Sequence, residues 1–157
     1  MIQSILQDNP TEKIVIFSFF RGTVEYLYHH LSQAGIRCSL IMGGLKDNEK
    51  TERLLDFRDK NINVLVSTEV GSEGIDLQFA KYEINYDLPW NPMRLEQRIG
   101  RLDRIGQESP TIFVFNAFCR DTIEDRILSR LYDRIQIFKD STMDRLKSAY
   151  TNWMISL

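Results

Sequence analysis

Between residues 13 and 118, short runs of branched and aromatic residues alternate with segments of helical spacing, and that alternation leaves few folds open. Lys13-Ile14-Val15-Ile16-Phe17 reads as a strand buried on both faces, because apolar residues follow one another without a polar alternate. Val24, Leu27, Tyr28 and Leu31 then recur at helical spacing until Gly35 stops the helix. Residues 37–42 read as a second strand closed by Gly43-Gly44, and residues 47–59 as a helix that turns Leu54 and Phe57 inward. Residues 63–67, 82–86 and 111–118 supply three more strands. Strands joined by helices of this length run parallel, so the expected fold is α/β, a parallel sheet with helices on both faces. Ligands on such sheets bind beyond the carboxyl ends of the strands. Residues 18–21, 43–44, 68–76 and 87–91 all fall there.

With 157 residues, 43% of them hydrophobic, the chain can form one domain with an ordinary core. Its formal net charge of −2 advertises no global basic field, so any contact with a polyanion must come from a local patch. Cys38 and Cys119 fall in apolar strand segments and read as buried reduced thiols. His29-His30 has no cysteine or carboxylate partner at ligand spacing, and no metal is assigned. No apolar run approaches the roughly 20 residues of a membrane span. The first residues lack a signal-peptide pattern, and the expected location is cytoplasmic, without a membrane partner.

The densest chemistry lies in residues 97–107, Gln-Arg-Ile-Gly-Arg-Leu-Asp-Arg-Ile-Gly-Gln. Asn91-Pro92 opens this segment as helix cap and first-turn proline. Leu95, Ile99 and Leu102 share one stripe of the helix, and Gln97, Arg101 and Arg104 share the opposite one. Guanidinium forks match phosphate oxygens bidentately and stay charged at any working pH. A solvated basic face is the bland alternative. Arg98 points elsewhere on the helix and reads as half of a structural ion pair, with Asp103 and Asp87 as candidate partners. Further on, Asp121-Thr122-Ile123-Glu124 resembles a capping box. Ile127, Leu128, Leu131, Ile135 and Phe138 form a stripe behind it, a break follows at Ser141-Thr142, and a second helix is expected to reach Trp153. Residues 121–157 are therefore expected to be a helical C-terminal extension of a single domain spanning 1–157.

Residues 97–107 resemble the last helicase motif of superfamily two ATPases in its Swi/Snf-type form. Residues 13–20 are similar to the strand that opens the second RecA-like lobe, residues 67–78 resemble the fifth motif, and Asp87-Leu88-Pro89-Trp90-Asn91-Pro92 resembles the segment between the fifth and last motifs. The set occurs in family order and covers most of residues 13–131; its nearest likeness is the bacterial RapA/HepA-type branch. The resemblance implies a RecA-like lobe in which Arg101 and Arg104 are arginine fingers toward ATP and Gln97 orders the same end of the site. It places Asp76 at the nucleotide ribose, with Gly71 and Gly74 allowing a tight turn and close approach. It also makes Ser18, Gly43, Ser67 and Thr68 candidate phosphate-backbone contacts. Trp90 is either DNA-proximal or a core aromatic beside Pro92. One position departs from the pattern: many chromatin remodellers carry a basic residue where this chain has Glu69.

No Gly-x-x-x-x-Gly-Lys-[Ser/Thr] loop and no Asp-Glu box occur in the sequence. The expectation is a fragment of a larger protein, whose first RecA-like lobe supplies the phosphate cradle and the magnesium site. The whole is expected to be an ATP-dependent, nucleic-acid-stimulated translocase on double-stranded DNA, with RNA polymerase or another DNA-bound complex as candidate partner. This chain alone is expected to be inactive. The alternatives are a lobe of a strand-separating helicase and a degenerate lobe kept as a protein-binding module.

Overall fold

A computed structural model describes residues 1–59, 61–118 and 149–154. The strands β1 (Ile14–Ser18), β2 (Cys38–Ile41), β3 (Val64–Thr68), β4 (Tyr82–Asn85), β5 (Phe113–Phe118) and β6 (Ala149–Met154) form one sheet in the order β2-β3-β1-β4-β5-β6. Every pairing is parallel. The strands with continuous apolar runs, β1 and β3, lie in its interior and are buried along their whole length, as a sheet covered on both faces requires.

The helices divide between the two faces. On one, Phe57 of α3 (Asp47–Asp59) and Leu95, Ile99 and Leu102 of α4 (Pro92–Leu102) pack on Val15, Phe17, Leu65 and Val114. On the other, Val24 of α2 (Arg21–Gln33) is buried against Ile14, Ile16, Val64, Val66 and Ile84, flanked by Leu27, Tyr28 and Leu31. Each fully buried aliphatic or aromatic side chain contributes about 1.5–3 kcal/mol, so the two stripes fix how α2 and α4 rotate on the sheet.

Two elements differ from expectation. A short helix, α1 (Ile2–Asp8), precedes β1 and lays Ile2, Ile5 and Leu6 on the second core; seven residues are too few for periodicity to announce it. Residues Ala149–Met154 are strand β6, paired with β5 from Phe113↔Ala149 to Phe118↔Met154, and not the end of a second helix. Aromatic and branched residues such as Tyr150, Thr151 and Trp153 suit a strand, and the free edge of β5 offers a ladder for their backbone groups. The expected helix from Asp121, with its stripe from Ile127 to Phe138, and Cys119 lie outside the described residues.

Strand order places the carboxyl ends of β3, β1 and β4 side by side. The loops after them carry the segments that drew attention in the sequence.

Candidate functional site

The loop after β3 is built around Thr68. Its Oγ1 accepts from Gly43 N at 3.1 Å and Gly71 N at 3.0 Å, which ties the turn after β2 to residues 69–76. A Cβ on Gly71 would lie 2.8 Å from Ile41 O and from Met42 Cα, both backbone atoms, so only glycine fits. Gly74 has φ +74° and turns the chain in the left-handed region where a side chain is strained. Lys50 of α3 clamps the outer side of the loop by donating from Nζ to the Glu73 carbonyl.

Helix α4 forms the opposite wall. Asn91 caps it, Oδ1 accepting from Met93 N at 3.1 Å, and Leu95 and Leu102 fasten it to the sheet. Arg101 Nη1 donates to Ser72 O at 2.7 Å, and Arg104 Nη1 donates to Asp76 Oδ1. Arg101, Arg104, Gly74 and Asp76 therefore come together along one edge. The last pair is open to solvent, 58% exposed on each side, so it stabilises by no more than about 1 kcal/mol. Gln97 lies four residues before Arg101 on α4. It lines a cavity of about 390 Å³ with Phe19, Glu69, Glu73, Asn91 and Arg94.

Arg98 is fully buried and holds three strand ends at once. Nη1 donates to Asn85 Oδ1 at 2.9 Å and Asp87 O at 3.1 Å, while Nη2 reaches Glu69 at 3.4 Å and the Asp87 carboxylate at 3.6 Å. The guanidinium also lies 4.7 Å from the Phe19 ring centre. Asp87 in turn accepts from Ser18 Oγ at 2.5 Å and from Phe19 N. The expected ion pair is present with Asp87, and the second carboxylate is Glu69 where Asp103 was the other candidate. Glu69 also faces Arg94 at 3.6 Å. A basic residue at position 69 would meet two guanidiniums, a physical reason for the acid there.

The remaining candidates separate by exposure. Ser18 and Ser67 are fully buried, their hydroxyls donating to Asp87 and to Thr68 O; they brace the strand ends and present no hydroxyl to solvent. Thr68 is nearly buried, with its oxygen engaged as above. Gly43 is half-buried at the turn, its N–H already held by Thr68. Trp90 is 74% exposed, which excludes the core-aromatic reading. Phe20, Val70 and Met93 are exposed as well, on the loops after β1 and β3 and on the first turn of α4.

Sequence reasoning missed Glu83. It is completely buried on β4, and burial pushes its carboxyl up to about 7, against the opposing pull of the Asn85 amide and of the Arg98 and Arg101 charges. A glutamate in a strand otherwise suited to the interior was the available signal. Among the described residues no group of three or more His, Cys, Asp or Glu could hold a metal ion, and no helix is long and apolar enough to cross a membrane.

A parallel sheet with helices on both faces, functional loops at its carboxyl edge and a polar arginine helix against them define a RecA-like lobe. Residues 1–106 match the helicase conserved C-terminal domain family. The uncharacterised ATP-dependent helicase YqhH of Bacillus subtilis (strain 168) is 48% identical over 128 residues, covering 82% of this chain and 23% of that protein. The RNA polymerase-associated protein RapA of Vibrio atlanticus is 39% identical over 105 residues, 65% of this chain and 11% of that one. The C-terminal part of the Fun30 ATPase domain superposes with a TM-score of 0.72 at 25% identity, over 82% of this chain and 43% of that chain. The chain belongs to the helicase conserved C-terminal domain family, and its relatives place it in the Swi/Snf-like group. It spans less than a quarter of the length of the relatives YqhH and RapA.

Proposed function

We propose that this chain is the second motor lobe of an ATP-dependent translocase on double-stranded DNA. One observation carries the reading: Arg101 in the last turn of α4 and Arg104 just beyond the helix end both reach the loop that holds Ser72, Gly74 and Asp76. Phosphoryl transfer is catalysed chiefly by positioning and by cations placed on the phosphate oxygens. Both guanidiniums rest on partners that a ligand can replace, a loop carbonyl and an exposed carboxylate. Closure of a partner lobe carrying ATP would exchange those contacts for phosphate oxygens, with Asp76 released toward the ribose and Gln97 ordering the adjoining end. Magnesium and the phosphate cradle belong to that partner lobe in cis.

The DNA side of the proposal uses what is exposed. Trp90 and the polar rim around Arg94 can meet a backbone without reading bases, as a motor indifferent to sequence needs. A protein already on the DNA, such as RNA polymerase, is the proposed target of the moving enzyme, by analogy with the name of RapA. The test is turnover of the full-length protein with duplex DNA, together with displacement of a triplex-forming strand. Duplex-stimulated ATPase with triplex displacement is expected. Efficient separation of a simple forked duplex, or turnover that duplex leaves unchanged, overturns the assignment.

A further inference from the structure

A polar row runs through the apolar layer between the sheet and α4. Glu83 and Asn85 are two residues apart on β4 and so face the same side. In register, Glu83 lies between Val15 and Val114, and Asn85 between Phe17 and Asn116. Val15, Phe17 and Val114 belong to the core beneath α4, which puts the row in that core. Asn85 Nδ2 donates to Glu83 Oε1 at 2.9 Å and to Asn116 Oδ1 at 3.0 Å. Two acceptors on one side of the amide fix its orientation and aim Oδ1 at Arg98. Three buried atoms here lack a hydrogen-bond partner among the described residues: Glu83 Oε2, Arg98 Nε and Arg101 Nε. Such atoms are costly to bury. An open acceptor and two open donors on the charges that act on it leave pairing still to be gained in this layer.

We propose that Glu83 is a positioning residue for the arginines of α4: ionised, it orders Asn85 and Arg98 and draws Arg101 inward from the Ser72 carbonyl; neutral, it leaves Arg101 at the loop edge. The charged groups acting on Glu83 are Arg98 and Arg101, both from α4. Its register neighbours on β1 and β5 are the apolar Val15 and Val114. Because burial holds the carboxyl at about 7, both forms are populated near neutrality and the row can respond to small changes of field. The inference rests on the motor-lobe reading only in naming Arg101 a finger.

The test is an NMR titration of the protein from about pH 5.5 to about 8.5, a window that brackets the shifted carboxyl. It follows the Glu83 carboxyl carbon and the Arg98 and Arg101 Nε–H signals. All three are expected to move with one midpoint near 7. Glu83→Gln keeps an oxygen for Asn85 but no charge, and in it the arginine signals should stay constant. Every other ionisable side chain persists in the variant, which makes it the control for changes that arise elsewhere in the protein. Arginine signals that stay fixed in the wild type, or that move equally in Glu83→Gln, overturn the proposal. A Glu83 titrating in the ordinary carboxylate range does so too. If Glu83→Gln fails to fold, the wild-type titration decides alone, because it asks whether Glu83 and the arginines share a midpoint. None of these signals needs turnover, so failure here is separate from failure of the motor-lobe reading.

Discussion

Replacing Arg98 by alanine should be the most damaging single change to α4. The guanidinium is completely buried and serves the Asn85 side chain, the Asp87 carbonyl and two carboxylates. Truncation leaves Glu69 and Asp87 facing each other's charge without the cation between them, and removes the donor from Asn85 Oδ1. Breaking a buried pair in this way costs about 3–5 kcal/mol, and in a chain of this size each kcal/mol lowers Tm by roughly 2–4 °C. A loss on the order of 10 °C is expected for Arg98→Ala. Arg98→Lys should fall between, since a point charge cannot serve Asn85, Glu69 and Asp87 as a fork does. Arg104→Ala removes only an exposed pair and should stay within about 3 °C of wild type. The assay is calorimetric melting of the three variants, with urea midpoints as a second measure. A cycle of Arg98→Ala with Glu69→Gln should return a coupling of about 0.5–3 kcal/mol. An Arg98→Ala protein melting within about 2 °C of wild type, below the effect of losing even 1 kcal/mol, would refute the hub assignment.

In the full-length protein, Arg101→Ala or Arg104→Ala should lower ATP turnover by about 10³–10⁵-fold while melting close to wild type; near-normal turnover in both would remove the fingers. Gly71→Ala should destabilise by about 1–3 kcal/mol, because its Cβ meets the backbone of Ile41 and Met42. Gly74→Ala, which meets nothing but sits at φ +74°, should lose about 1–2 kcal/mol, and urea titrations of the two variants rank them. Burial pushes the Cys38 thiol up to about 11, so its alkylation should be slow at neutral pH and climb until the pH passes that value. A fast, pH-independent reaction at Cys38 would contradict the burial.

The parts of this fold that were legible in the sequence are those whose pattern is local. β1 and β3 announce themselves because an interior parallel strand is apolar on both faces, and α4 because cap, proline and stripe agree within eleven residues. Arg98 could be set apart from Arg101 and Arg104 by helical angle alone. Its partner Asp87, eleven positions away, was within reach of the same reading, whereas Glu69 lies 29 positions away and reaches it only once β3 and β4 flank β1. The same holds for Ser18 and Ser67. Position at a strand end says where the backbone goes, whereas the neighbour decides whether a hydroxyl faces outward, and here Asp87 and the Thr68 carbonyl take them inward. β6 was illegible for a different reason: six residues that suit a strand also fit a helix turn, and the choice is made by the open edge of β5.

The chemistry of α4 follows from how one helix divides its arginines. Leu95, Ile99 and Leu102 press it onto the sheet, and Arg98, on the same side, must then be buried and satisfied by the strand-end loops. That burial couples the helix to Asp87 and to Glu69, the residue that begins the loop on which Arg101 and Arg104 act. Any movement of α4 against the sheet must therefore strain the loops, and any ligand that displaces residues 69–76 must pull on α4 through Arg98. An arginine edge joined rigidly to its loop senses the arrival of a partner surface as a whole, and that is the behaviour a lobe needs if hydrolysis is to depend on closure.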